Sequence, residues 1–223
     1  MATLLSHILN EEHLVLSNER TLFWENEKTL IVADLHVGKT GHFRKSGIGV
    51  PAGVYKEDLQ RLLAQILFFK ADRLVIAGDL THSRVNREMD LFRKWRNDFP
   101  SLDVHLVRGN HDILDRQWYE EANVRVHEEQ MEMGGFLFVH DIFHLKRKPG
   151  SGQFAFSGHV HPGITIRGKG KQILRFPCYY FKKNYCILPA FSRFTGTYPV
   201  EAEKEDQVYA IVEKEIVAMP LGK

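Results

Sequence analysis

The stretch Val75-Ile76-Ala77-Gly78-Asp79-Leu80-Thr81-His82 decides how the chain is read. The apolar run from Leu74 to Ala77 shows no polar alternation, so both faces of this strand are expected to be covered. Gly78 lets the backbone turn sharply where the strand ends. Asp79 then stands just past the carboxyl end, where open α/β sheets keep their ligands. A strand ending in Gly-Asp is often only a turn. This one gains meaning because the rest of the chain repeats the pattern with complementary groups.

Upstream, residues 21–24 and 29–33 read as paired strands around a polar turn, the second ending in Asp34-Leu35-His36. The glycine-bearing segment 38–51 that follows reads as a surface loop beside that strand end. Residues 55–69 form an expected helix with Leu59, Leu62, Leu63, Ile66 and Leu67 on one face. A second helix, 86–99, turns Leu91, Phe92, Trp95 and Phe99 inward and stops at Pro100. The strand 104–107 ends in Arg108-Gly109-Asn110-His111-Asp112. Alternating strands and helices mean a largely parallel sheet.

After a helix over 113–121 the character changes. Short strands follow at 124–127, 131–133 and 136–139, the last ending in His140-Asp141. The basic loop Lys146-Arg147-Lys148-Pro149-Gly150 comes next, and 154–156 leads into Ser157-Gly158-His159-Val160-His161. Strands at 164–166, 173–176, 185–188, 208–212 and 216–219 complete a mainly antiparallel second sheet packed on the first. With no internal repeat and no clear linker, a single domain over 1–223 is expected.

Composition narrows the function. Apolar residues make up 43% and charged residues 26%, ordinary for a globular protein. The formal charge of +2 creates no overall field for nucleic acid, so any such contact must come from local patches. Cys178 and Cys186 share no metal-binding spacing and read as small buried residues in a reducing compartment. The N-terminal segment lacks a basic start, a long apolar core and a cleavage site, and no apolar run approaches the ~20 residues of a membrane span. A cytoplasmic protein without membrane contact is the expectation.

Five strand ends carry nitrogen or oxygen donors: Asp34 and His36; Asp79; Asn110 and His111; His140; His159 and His161. None is a thiolate, which argues against a structural zinc clasp. In an extended chain residues i and i+2 point the same way, so Asp34 with His36, and His159 with His161, can each reach one site. One such pair is common by chance; five ends in series are not.

In that order, D-x-H, G-D-x-x-H, G-N-H-D, an isolated H and G-H-x-H resemble the calcineurin-like metallophosphoesterases, over roughly residues 22–197. The resemblance implies an α/β fold, a four-layer αββα sandwich of two mixed sheets with two divalent metal ions at the sheet edge. Carried over by position, one metal takes Asp34, His36, Asp79 and His161; the other takes Asp79, Asn110, His140 and His159. The resemblance implies that Asp79 would bridge the two ions and that a hydroxide shared by them would attack phosphorus. His111 is the candidate general acid for the leaving alkoxide, and Asp112 a residue that could orient an imidazole. His82 is a supporting or substrate-facing residue. His42, His105, His127 and His144 match no motif position.

The longer string Ala33-Asp34-Leu35-His36-Val37-Gly38-Lys39, then Phe43-Arg44-Lys45-Ser46-Gly47-Ile48 and Val50-Pro51, is similar to the ligase-associated metallophosphoesterases, a group of bacterial DNA damage response phosphodiesterase/endonucleases. Leu188-Pro189-Ala190-Phe191 and Phe194-Thr195-Gly196 fit the same pattern, which departs at Ser192 and Thr197, where glycine is usual. This resemblance implies manganese-dependent cleavage of DNA in repair, with iron or zinc as alternative metals. It also implies association with an ATP-dependent DNA ligase, a helicase and an exonuclease. Lys39, Arg44 and the basic loop are candidate DNA contacts, as are Arg175-Phe176 and Tyr179 to Lys183, where cations interleave with rings. Two other readings stay open: a metallophosphoesterase of nucleotides or nucleoside-diphosphate conjugates, and a non-catalytic protein-binding scaffold on the same fold.

Overall fold

The structure, a computed structural model, describes residues 3–45, 47, 49–50, 53–82, 86–145, 150, 152–167 and 173–220. Its first sheet follows chain order: β1 (Leu4–Leu9), β2 (Glu12–Ser17), β3 (Thr21–Trp24), β4 (Thr29–Val32), β5 (Arg73–Ala77), β6 (Asp103–Val107) and β7 (Arg125–His127). The first four strands are an antiparallel meander, and β4 to β7 run parallel.

Because side chains alternate along a strand, one buried strand feeds two cores. Leu30, Val32, Leu74, Ile76, Val104 and Leu106 pack beneath the helices α2 (Val54–Phe69), α3 (Arg87–Asn97) and α4 (Arg116–Glu121). Their neighbours Ile31, Ala33, Val75, Ala77 and Val107 face the second sheet. The short helix α1 (Lys39–Lys45) stands beside the start of α3, where the Asn86 side chain accepts from Glu88 N and donates to Gly38 O.

The second sheet holds β8 (Gln130–Met133), β9 (Phe136–Val139), β10 (Phe154–Ser157), β11 (Pro162–Arg167), β12 (Ile173–Phe181), β13 (Tyr185–Ile187), β14 (Tyr198–Pro199), β15 (Gln207–Val212) and β16 (Glu215–Ala218). Phe136, Phe138, Phe154, Phe156 and Tyr179 close the core between the sheets. Most pairings here are antiparallel; β14 pairs parallel with β11, and β9, β10 and β13 run parallel. That local parallel order brings the ends of β9 and β10 to one edge. Among the described residues the one helical turn on the outer face is the 3-10 turn Ile142–His144, and Val200, Ala202 and Met219 pack elsewhere on that face, so the fourth layer of the sandwich is thin.

Several elements differ from the pattern reading. Residues 4–17 form a hairpin that short alternation did not announce. Residues 125–127 close the first sheet as a parallel strand rather than opening the second. The third helix starts at Arg116, and the 38–51 segment contains α1. Leu67 is 60% exposed, because the buried stripe of α2 runs through Tyr55, Asp58, Leu62, Gln65 and Ile66. Gln65 takes its place there by accepting from the Thr21 hydroxyl at 3.0 Å.

Candidate metal centre

Five of the candidate ligands share an uncommon backbone. Asp34 (φ 55°), His36 (50°), Asp79 (52°), His159 (68°) and His161 (53°) are all left-handed. For non-glycine residues this costs roughly 1–3 kcal/mol each, and it persists only where the surroundings over-determine it. They do so here: Asp34 N donates to Gly78 O (3.1 Å), His36 N to Asp79 O (2.9 Å) and Val37 N to Leu80 O (2.8 Å). The paired ligands thus converge through successive left-handed bends, not through the pleat of an extended strand as expected.

The donors gather in two groups. Asp34, His36 and His161 offer ligand atoms all within 4.8 Å of one another, and so do Asp79, His140 and His159. In the first, His36 Nε2 lies 3.3 Å from His161 Nε2, which is 3.6 Å from Asp34 Oδ1. In the second, His140 Nε2 lies 3.0 Å from His159 Nδ1, 2.8 Å from Asn110 Oδ1 and 3.6 Å from Asp79 Oδ1. Asp79 Oδ2 is 4.0 Å from His36 Nε2, so its carboxylate has one oxygen toward each group.

This arrangement fits a pair of divalent cations. Ring nitrogens facing one another with carboxylate oxygens between them make a donor set, not a set of satisfied hydrogen bonds. Burial and the neighbouring Asp34 push the Asp79 carboxyl up to about 8, and burial beside Lys39 pushes the His36 imidazole far down. Two carboxylates at 0% and 2% exposure call for positive charge nearby, and neutral imidazoles are what a cation binds. The backbone makes room: a Cβ on Gly78 would stand 1.9 Å from His140 Nδ1, and one on Gly109 2.2 Å from Asp79 Oδ1.

Around the two groups, expectations meet mixed outcomes. His111 is half-buried, and its backbone N–H donates to Asp79 Oδ1 at 2.9 Å. His82 is in the site: its Nδ1 lies 3.3 Å from His36 Nδ1, and its ring stacks on His111 with centroids 4.6 Å apart. Among the described residues no imidazole donates to the Asp112 carboxylate. That carboxylate accepts from Thr81 N (2.8 Å), Thr81 Oγ1 (3.0 Å) and Gly109 N (2.9 Å), clasping the Asp79 loop to the Asn110 loop.

Lys39 Nζ donates to Thr195 Oγ1 at 3.1 Å; burial lowers its pKa, while Asp34 and Asp79 draw it back up. Arg44 has a partner within the fold. Its guanidinium pairs with Glu88 Oε1 at 2.6 Å, and Glu88, which also accepts from Thr40, is only 7% exposed in its side chain. A carboxylate so placed needs its cation, so Arg44→Ala is expected to destabilise the fold by about 1–3 kcal/mol in urea unfolding while leaving KM for substrate unchanged.

The rings at 179–181 in the Arg175 to Lys183 run are a correction. Tyr179, Tyr180 and Phe181 are buried in β12, Tyr179 OH donates to Ser17 O, and Lys182 pairs with Glu203 and Asp206. Residues 146–149 of the basic loop, with Ser46, Ile48 and Pro51, lie outside the described residues.

Three residues escaped pattern reading. His42 stands edge-on to His82 with ring centroids 5.8 Å apart. Asp141 and His144 sit at the rim, 2.5 Å apart. They match no spacing rule; only the position of Asp141 directly after His140 hinted at it. A cleft of about 720 Å³ opens on this side, lined by Arg108, Asn110, Gln130, His140, His144 and His159 among others.

A family model described as calcineurin-like phosphoesterase matches residues 27–159. Among solved structures, the chain is similar to the Pseudomonas putida nuclease MPE, with 24% identity, a TM-score of 0.81, and coverage of 97% of this chain and 100% of that one. Likeness to the E. coli phosphoesterase Yfce is more distant: 12% identity, TM-score 0.45, covering 87% of this chain and 99% of that one. No curated protein sequence matches it.

Proposed function

The chain belongs to the calcineurin-like phosphoesterase family and is a metal-dependent phosphoesterase, and on that premise we propose that it cleaves phosphodiester bonds in DNA, with manganese as its metal. The observation that carries this reading is the Asp79 carboxylate shared between two donor groups beside an open cleft. Such a centre serves in-line displacement at phosphorus, and the cleft has room for a chain that continues past the scissile bond. The Pseudomonas putida protein of similar fold is a nuclease, and the string from Ala33 to Pro51 supports the same substrate class.

Asp34, His36, Asp79 and His161 would hold one ion; Asp79, Asn110, His140 and His159 the other. Bound there, the ions would lower the pKa of a water and neutralise the phosphate oxygens on which charge builds. Asp79 sets the separation of the two groups through its two oxygens. His111, tied by its backbone to Asp79 and stacked on His82, holds the proton that the leaving oxygen takes. Lys39, fixed by Thr195, offers a cation to a substrate phosphate. Single-stranded or flexible DNA suits the site best, because the donors are sunk at a sheet edge rather than displayed on a ridge.

The same string supports a role in DNA repair alongside an ATP-dependent ligase, a helicase and an exonuclease. Among the described residues no helix is long and apolar enough to cross a membrane.

One assay tests the substrate. Purified protein with manganese is offered single-stranded DNA, duplex DNA, a cyclic nucleotide and a nucleoside-diphosphate conjugate. Single-stranded DNA should be cut fastest; turnover of the small diphosphate with DNA left intact would overturn the reading.

A further inference from the structure

His159 is the most exposed of the imidazoles in the two donor groups, with 39% of its side chain open to solvent, so packing alone does not hold its ring. Its Nδ1 faces His140 Nε2, inside the second donor group. Its other nitrogen, Nε2, faces Asp141 Oδ2 at 3.6 Å. Asp141 is itself fixed. Its Oδ1 accepts from Phe143 N (2.9 Å), capping the turn Ile142–His144, and its Oδ2 lies 2.5 Å from His144 Nδ1. The carboxylate is 14% exposed, between one imidazole of the donor group and one on the rim.

A carboxylate beside one ring nitrogen favours the proton there and leaves the lone pair of the other free. We propose that Asp141 is a positioning residue for the second metal: it holds the proton of His159 on Nε2 and turns Nδ1 toward the ion, while His144 keeps the carboxylate in place from the cleft side. The role rests on the assignment of Asp79, Asn110, His140 and His159 to that ion. It gives a function to the residue after the isolated histidine and to a turn that otherwise only covers the second sheet.

The test is manganese binding to the full chain, followed by calorimetry and by the manganese-dependent rise in Tm. Wild type should bind two equivalents. Asp141→Asn keeps an acceptor for Phe143 N, so its metal-free Tm should stay at the wild-type value. Its affinity for one of the two equivalents should fall about 10–100-fold, the range for an outer partner of a ligating histidine. His144→Ala, which leaves the carboxylate beside His159, should lose less than Asp141→Asn.

Wild-type affinity for both equivalents in Asp141→Asn would overturn the proposal. Equal losses in the two variants would also overturn it, because the turn rather than the charge would then matter. If wild type itself bound fewer than two equivalents, the two-ion reading would fail and this role with it. Should Asp141→Asn not fold, His144→Ala decides: a loss of tenfold or more in that variant would overturn the role given to Asp141.

Discussion

Asp79→Ala is expected to lower manganese-dependent phosphodiesterase activity by on the order of 10³-fold or more, since the ions supply several kcal/mol of charge stabilisation and each 1.4 kcal/mol is about tenfold. The Asp79 carboxylate faces both donor groups, with Oδ1 3.6 Å from His140 Nε2 and Oδ2 4.0 Å from His36 Nε2. Its loss therefore removes a donor from each ion and the link between them. Full turnover by the variant would sink the two-ion assignment.

Asp79→Asn separates activity from stability. The Asp79 carboxyl is held near 8 by burial and by Asp34, well above the 3.8 of a free side chain. A folded-state pKa above the unfolded one means that stability from this group is present below about pH 4 and lost as pH rises toward 8. In chelator, the wild-type Tm should fall across that window. The Asn variant should fall less and end more stable near pH 8, by on the order of a few kcal/mol at most, yet remain inactive. A parallel fall in both proteins would show that Asp79 carries no charge burden without metal.

His111→Ala should cut turnover of DNA by about 10²–10⁴-fold, the usual worth of a general acid. A nitrophenyl phosphodiester, whose leaving group departs without a proton, should suffer much less. The ring is half-buried against His82, and the backbone of the same residue anchors Asp79. Alanine keeps that backbone bond, so the variant tests the imidazole alone. Equal losses on both substrates would mean that His111 binds phosphate instead of giving up a proton.

Much of this was legible in the chain because strand ends announce themselves. An unbroken apolar run that stops at a polar donor marks a covered strand and the group at its edge: Asp34, Asp79, His140 and His159 were each found at such an end, and His36 and His161 two residues further on. What pattern could not give was who pairs with whom. Arg44 looked like a free cation beside the site, because nothing local shows that Glu88, forty-four residues on, is buried and needs it. The rings of 179–181 looked like a stacking surface, since interleaved cations and aromatics read alike on a groove and on a buried strand. Asp112 looked like a partner for histidine until its two oxygens proved to be taken by Thr81 and Gly109. The means of convergence was hidden as well, because left-handed bends at Asp34, His36, Asp79, His159 and His161 leave no mark in residues other than glycine.

Those bends are stitched to one another: the 34–37 segment donates backbone hydrogen bonds to 78–80, and Asp112 joins 81 to 109. Three loops therefore behave as one piece. Most of the freedom a metal ion would otherwise have to quench on arrival has already been surrendered during folding, and the strain that remains in the bends is borne by the whole sandwich. Ion capture at such an edge is closer to filling a socket than to wrapping a tether, and the same rigidity leaves the sheet edge little freedom to reshape itself around an ion of another size.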